Sequence, residues 1–103
     1  MALINIRRND AGVVSFDPSP ANLDSTSDFA VWANLDPQAE HQPTLKGKAA
    51  NWWMDDPLPR AVAGQPAATS PPVSLTGTTP LTYCDGLDPT IEGTINFVST
   101  PLP

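Results

Sequence analysis

Three side chains hold most of the chemistry this sequence offers. Cys84 is the chain's only cysteine and His41 its only histidine. A thiolate and an imidazole are ligands for copper and zinc. Asp88, just beyond the cysteine, adds a carboxylate oxygen that favours Cu(II) or Zn(II) over Cu(I). A set of His41, Cys84 and Asp88 with water suits zinc and is weak for reversible electron transfer. Without metal, Cys84 reads as a small buried apolar residue or as a reactive thiol. A lone loop histidine is ordinarily solvated or hydrogen-bonded. One cysteine forbids an internal disulfide. No Ser-His-Asp set, no paired acid and base at a readable spacing and no phosphate loop is present. The chain is therefore not read as an enzyme. A second group offers contact rather than chemistry. Trp52, Trp53 and Met54 form an apolar cluster in an otherwise polar, proline-rich stretch. They are read either as a lid on the chain's own core or as an interaction surface, since Trp and Met are enriched in interface cores.

The elements that must position these residues are strands. Leu81 and Tyr83 alternate with polar neighbours, Asp85-Gly86 and Asp88-Pro89 break the run, and Ile91, Gly93, Ile95 and Phe97 alternate again. That is strand, tight loop, strand, with Cys84 at the lip of the loop. Asp28 to Asn34 predicts another strand, with Ala30 and Trp32 on one face and Phe29 and Val31 on the other. A turn through Asp36-Pro37 then leads to His41. Ala2 to Arg8 predicts a first strand with Ile4 and Ile6 inward, and Arg7 and Arg8 read as solvated strand ends. Asn9 to Gly12 is a turn with its left-handed position at Gly12, and Val13 to Phe16 returns. Asp17 to Ser27 is a connection with a short extended piece around Ala21 to Leu23. Thr44 to Ser70 shows little periodicity and reads as a long loop. Val73 and Leu75 fit an edge strand beside Pro71 and Pro72. The tail from Ser99 to Pro103 is expected to dock on a neighbouring surface. Ile6, Phe16, Trp32, Leu75, Tyr83, Ile95 and Phe97 are the expected core.

Two stretches carry a resemblance. Trp32-Ala33-Asn34-Leu35-Asp36 precedes His41, and Tyr83-Cys84 precedes Asp88-Pro89-Thr90-Ile91 and Gly93-Thr94-Ile95. In these the chain resembles the cupredoxins, the plastocyanin- and azurin-like blue-copper family. The resemblance runs from the first strand to Phe97. It implies an all-β Greek-key sandwich of about seven strands in a single domain over 1–103. It also implies that His41 and Cys84 hold the positions of the first histidine and the cysteine ligand. The family's His-Pro-x-Met is here Asp88-Pro89-Thr90-Ile91, so the second histidine and the axial methionine are replaced. A blue-copper site is a trigonal His₂Cys arrangement with a weak axial ligand, and one histidine cannot supply it. The resemblance therefore implies a degenerate copper site on a retained scaffold.

The expected function is a non-catalytic binding or structural module, acting through protein–protein association with a partner or with itself. No cofactor is expected. The alternative is a copper- or zinc-binding redox protein with a modified site, and copper would then be the cofactor. The formal charge of −6 and pI near 4.2 argue against nucleic acid, which needs clustered Lys and Arg. No run approaches the length of a membrane span, and the first twenty residues hold no apolar signal-peptide core. The compartment reads as cytoplasmic for the chain as it stands, or exported if a leader was removed.

Overall fold

The computed structural model describes residues 1–99, so the docking expected of the tail falls outside the described residues. Nine strands form two mixed sheets, and no helix occurs among the described residues. Accordingly, no helix is long and apolar enough to cross a membrane. The strands are β1 (Ala2–Arg8), β2 (Val14–Asp17), β3 (Ala21–Asp24), β4 (Asp28–Asn34), β5 (Pro43–Leu45), β6 (Ala68–Thr69), β7 (Val73–Leu75), β8 (Leu81–Asp85) and β9 (Asp88–Val98). The first sheet runs β2-β1-β4, and β4 then pairs with β6 along its last residues and β7 along its first. The second sheet runs β3-β9-β8-β5. The β1–β4 and β3–β9 pairs are parallel and the others antiparallel.

The alternation read from the sequence sets the inner faces. Ile4 and Ile6 of β1, Phe16 of β2, Ala30 and Trp32 of β4, Tyr83 of β8 and Ile95 of β9 are buried in one core shared by both sheets. Leu23 of β3 and Val73 of β7 join them. The architecture is thus a β-sandwich, and burial of large apolar side chains from both sheets is its main stabilisation. Trp32 and Tyr83 meet edge to face, with ring centroids 5.2 Å apart, and Phe16 tilts against Tyr83 at 4.7 Å. Among the described residues the indole N–H of Trp32 and the hydroxyl of Tyr83 have no hydrogen-bond partner. Burial pushes the Tyr83 phenol well up, opposed by the nearby Trp32 N–H.

Several expectations need correction. Leu75 and Phe97 are only partly buried. Leu75 pairs with Asp28 at the start of β4, and Phe97 is next to last in β9, so both sit at one open end of the sandwich. The loop after Cys84 is shorter than expected. β9 begins at Asp88, and the hairpin turns through Gly86-Leu87, closed by the Leu87 N–H donating to Asp85 Oδ1 at 3.0 Å. Cys84 therefore lies inside a ladder, opposite Thr44 and Glu92. The stretch read as one long loop contributes β5 and β6. β6 and β7 line up along β4 and are separated by Ser70-Pro71-Pro72. Proline cannot donate to a ladder, and Ser70 fills the break. Its N–H donates to Trp32 C=O at 2.8 Å, and its Oγ accepts from Trp32 N–H at 2.9 Å.

Gly93 faces Tyr83 across the β8–β9 pair, and a β-carbon there would lie 2.4 Å from Tyr83 Cζ. The phenol ring thus requires glycine on its neighbour. We expect Trp32→Ala to lower stability by about 3–5 kcal/mol, and Gly93→Ala by about 1–3 kcal/mol through overpacking. Urea denaturation checks both. A loss under about 1 kcal/mol for Trp32→Ala, the scale of a surface change, would contradict its place in the core.

Candidate functional site

At the end of the sandwich where β4 finishes, four charged side chains meet. The chain leaves β4 at Asn34, which is buried. Its amide donates to the C=O groups of Ala39, Leu58 and Pro59, and its Oδ1 accepts from the Asp36 N–H at 2.9 Å. This clamp bends residues 35–41 back over the end of the core and ties in 58–59. His41 and Leu58 then exchange backbone hydrogen bonds at 3.2 and 2.7 Å. The turn leaves the imidazole between two carboxylates. His41 Nε2 is 2.7 Å from Asp36 Oδ2, and Nδ1 is 2.5 Å from Asp85 Oδ2. His41 is 4% exposed, and Asp36 and Asp85 are fully buried.

Each carboxylate has further donors. Arg8 reaches Asp36 with two nitrogens, Nε at 2.9 Å and Nη2 at 2.8 Å, the bidentate geometry that makes such pairs strong. The Gln38 N–H adds a third bond to Asp36. Asp85 Oδ1 accepts from the N–H groups of Gln42 and Leu87. Both ring nitrogens can donate only in the imidazolium form. Burial works against that form, but the hydrogen bonds to Asp85 and Asp36 outweigh it, and the His41 pKa rises above its ordinary value. Burial also opposes ionisation of the two acids. Arg8 and His41 overcome it at Asp36, and His41 with two backbone N–H groups at Asp85, so both stay below the usual carboxylate range. Two cations and two anions sum to zero, so the cluster carries no uncompensated charge into the interior.

The residues picked out in the sequence are dispersed. His41 is committed to Asp36 and Asp85. Cys84 is buried but shares the side of its sheet with Thr44 and Glu92, away from Tyr83 and the core cluster. Burial pushes its thiol pKa up, with Asp85 and Glu92 adding to the shift and Lys46 opposing it. Such a thiol is a poor nucleophile and a reluctant ligand. Asp88 is exposed, and its Oδ1 accepts from Thr90 Oγ1 and N–H. Ile91 is partly buried and offers no donor atom. Among the described residues no three His, Cys, Asp or Glu side chains converge in a way that could hold a metal ion. The residues present do not fit a blue-copper cage.

The aromatic group is divided as well. Met54 is buried in the core cluster. Trp53 stacks on Trp32 at 5.0 Å and covers the gap between β4 and β8. Trp52 is 56% exposed, with Lys48 Nζ 4.6 Å from its ring centroid. Arg8 is not the solvated strand end expected of it. Asp36 and Asp85 are not among the residues singled out in the sequence: Arg8 lies 28 residues from Asp36 and His41 44 residues from Asp85, and the five-residue spacing of Asp36 and His41 falls on an Asp-Pro turn, where an acid needs no further explanation. No protein-family model matches the chain, and no curated protein matches it.

The shifts fix a pH window. Asp36 and Asp85 are depressed, so their stabilisation is complete above the ordinary carboxylate pKa of about 4 and is lost as pH falls below it. His41 is raised, so its stabilisation is complete below the ordinary imidazole value of about 6.5 and is lost as pH rises through its folded pKa. We expect the urea midpoint to plateau between these limits and to fall on both sides. His41→Gln should lower the plateau, because it leaves a buried carboxylate short of a charged partner, and should flatten the fall above about pH 6.5. An alkaline limb unchanged in His41→Gln would show that His41 does not carry it.

Proposed function

We infer that this chain is a non-catalytic binding or structural module of cupredoxin type, in which the place of the copper site has passed to structural use, and that it works through protein–protein association. The observation that carries this reading is the engagement of both His41 nitrogens by buried carboxylates. A metal ligand needs a free ring lone pair, and freeing one here would strand Asp36 or Asp85 without its cation. Removing one partner from a buried charge cluster costs about 3–5 kcal/mol, which metal binding would first have to overcome. An imidazolium fixed on both sides also makes a poor general base, which supports a non-catalytic role.

The association surface in this reading includes Trp52. Its exposed ring stands in a loop anchored by its neighbours, with Trp53 stacked on Trp32 and Met54 in the core. A rigidly held exposed aromatic is the usual anchor of an interface.

Two measurements test the reading. Titrating the reduced protein with Cu(II) should give no stable, intense thiolate charge-transfer band. A robust blue species that disappears in Cys84→Ser would overturn the loss of copper. Light scattering over a concentration series, alone and with candidate partners, should show assembly that Trp52→Ala weakens while leaving the unfolding midpoint unchanged. Trp53→Ala should instead lower the midpoint. Assembly indifferent to Trp52→Ala would remove this surface from the proposal.

A further inference from the structure

A groove of about 570 Å³ runs between the two sheets beside the charged cluster. One wall is the start of β2 with Val13, Val14 and Ser15, and the other is the start of β9 with Leu87, Asp88, Thr90, Ile91 and Glu92. Arg8, His41 and Asp85 lie along it. Both walls are strand edges, and the hydrogen-bond pattern shows which groups they present. Ile6 C=O accepts from the Leu35 N–H on the β4 side, so Asn5 and Arg7 turn their backbone groups toward β2. Their opposites are Asp17 and Ser15, which leaves the N–H and C=O of Val14 and Phe16 pointing away from the sheet. On β9, the Thr94 N–H reaches Ser19 Oγ at 3.1 Å, and Val98 C=O accepts from the Ser25 N–H. Alternate residues therefore face away from β8, and Glu92 falls in that series. β3 pairs only with Ala21 opposite Ile95 and beyond, so it stops short of Glu92. Among the described residues no backbone hydrogen bond joins β2 to β9.

We propose that this groove takes an extended peptide segment of alternating apolar and basic residues, which pairs with the open edge of β2 and lies along β9. Backbone pairing to an open edge supplies affinity, and pockets for alternate side chains supply selectivity. The alternation follows from the walls. Inward side chains of an added strand would fall between Val14 and Ile91, which are both partly buried and apolar. Outward side chains would fall between the exposed Ser15 and Glu92. The carboxylates there select the sign. Glu40 and Asp88 line the groove and make no ion pair among the described residues. Among the described residues Glu92 has one ion pair, with the exposed Lys46 at 3.1 Å. An exposed pair of that kind is worth little, so an incoming lysine can replace it. The arginine in the groove is already taken, both edges of its fork lying on Asp36 and Gly12. The chain's net charge of −6 favours the same partner at longer range. Trp52 does not line the groove, so this site goes beyond the association surface proposed above and stands or falls separately.

The probe is a capped hexapeptide of alternating Lys and Val, added to the full chain and followed by amide chemical shifts. Saturable binding is expected, with the largest shifts at Val14, Ser15 and Glu92, which line the groove. A Glu-Val peptide should not bind. N-methylation of the peptide bonds that face β2 should weaken binding roughly tenfold, the scale of one or two lost hydrogen bonds. Glu92→Lys should weaken it roughly threefold or more, with the loss reduced by salt. Val14→Pro should also weaken it, since that N–H points away from β1 and no described residue is paired with it. Should the proline variant misfold, the N-methylated peptide gives the same test on the parent protein. Absence of saturation at millimolar peptide overturns the proposal. So does equal binding of the N-methylated peptide, or a shift pattern centred on Trp52.

Discussion

The contact on which this molecule turns is the pair of hydrogen bonds from one imidazole to two buried carboxylates. Asp36 belongs to the connection that leaves β4 and is tied by Arg8 to β1, both in the first sheet. Asp85 ends β8 in the second. His41 therefore fastens one sheet to the other at this end of the sandwich. Hydrophobic packing is non-directional and can hold two sheets at many offsets. A bidentate guanidinium and a doubly bonded ring accept only one. Whether such clusters add net stability over an apolar substitute depends on the case, and here geometry is the clearer gain. The Asn34 clamp, the His41–Leu58 bridge and the short β8–β9 hairpin all have donors or acceptors whose positions follow from that arrangement.

The strand framework was largely legible in the sequence because it rests on period-2 alternation, which is local. β1, β4 and the left-handed Gly12 at the β1–β2 turn fall where the pattern puts them. The faces of Phe29, Ala30, Val31 and Trp32 follow as well. β5 and β6 were not legible, since runs of three and two residues carry no period. They exist because β8 and β4 offer edges to them. The charged cluster was illegible for a different reason. Arg8 looks like any polar residue at a strand end, and Asp85 sits in an Asp-Gly turn pair, where an acid needs no further explanation. The parallel pairing of β1 with β4 and the turn after Asn34 bring Arg8 to Asp36, and the antiparallel pairing of β5 with β8, with Pro43 opposite Asp85, brings Asp85 to His41. Sequence separation hid a contact that topology makes short.

The histidine, cysteine and acid that suggested metal chemistry illustrate the difference between composition and placement. A ligand set requires convergence, and strand pleat opposes it here. Tyr83 faces the core, so its neighbour Cys84 faces the other way, toward Thr44 and Glu92. The tryptophans show the same lesson in reverse. Trp52 and Trp53 are adjacent in the chain, yet one is packed against Trp32 and the other stands in solvent under a lysine. Their shared composition conceals two tasks, filling the gap between sheets and presenting a surface.

The serine that bridges the break between β6 and β7 has a consequence for how many neighbours the molecule can recruit through its strands. Pro71 and Pro72 interrupt that border of the first sheet. In the second sheet, the Asp24 N–H on the β3 border is taken by the Asp28 carboxylate. The β5 border is three residues long, begins with a proline, and spends its Leu45 C=O on the Lys48 turn. On the β2 border, by contrast, the backbone groups of Val14 and Phe16 face away from the sheet. Fibril growth requires two adhesive borders per subunit, one to receive and one to pass on. Borders interrupted by prolines or spent on local turns offer few places to pass a strand on, which disfavours growth of the sheet from one molecule to the next.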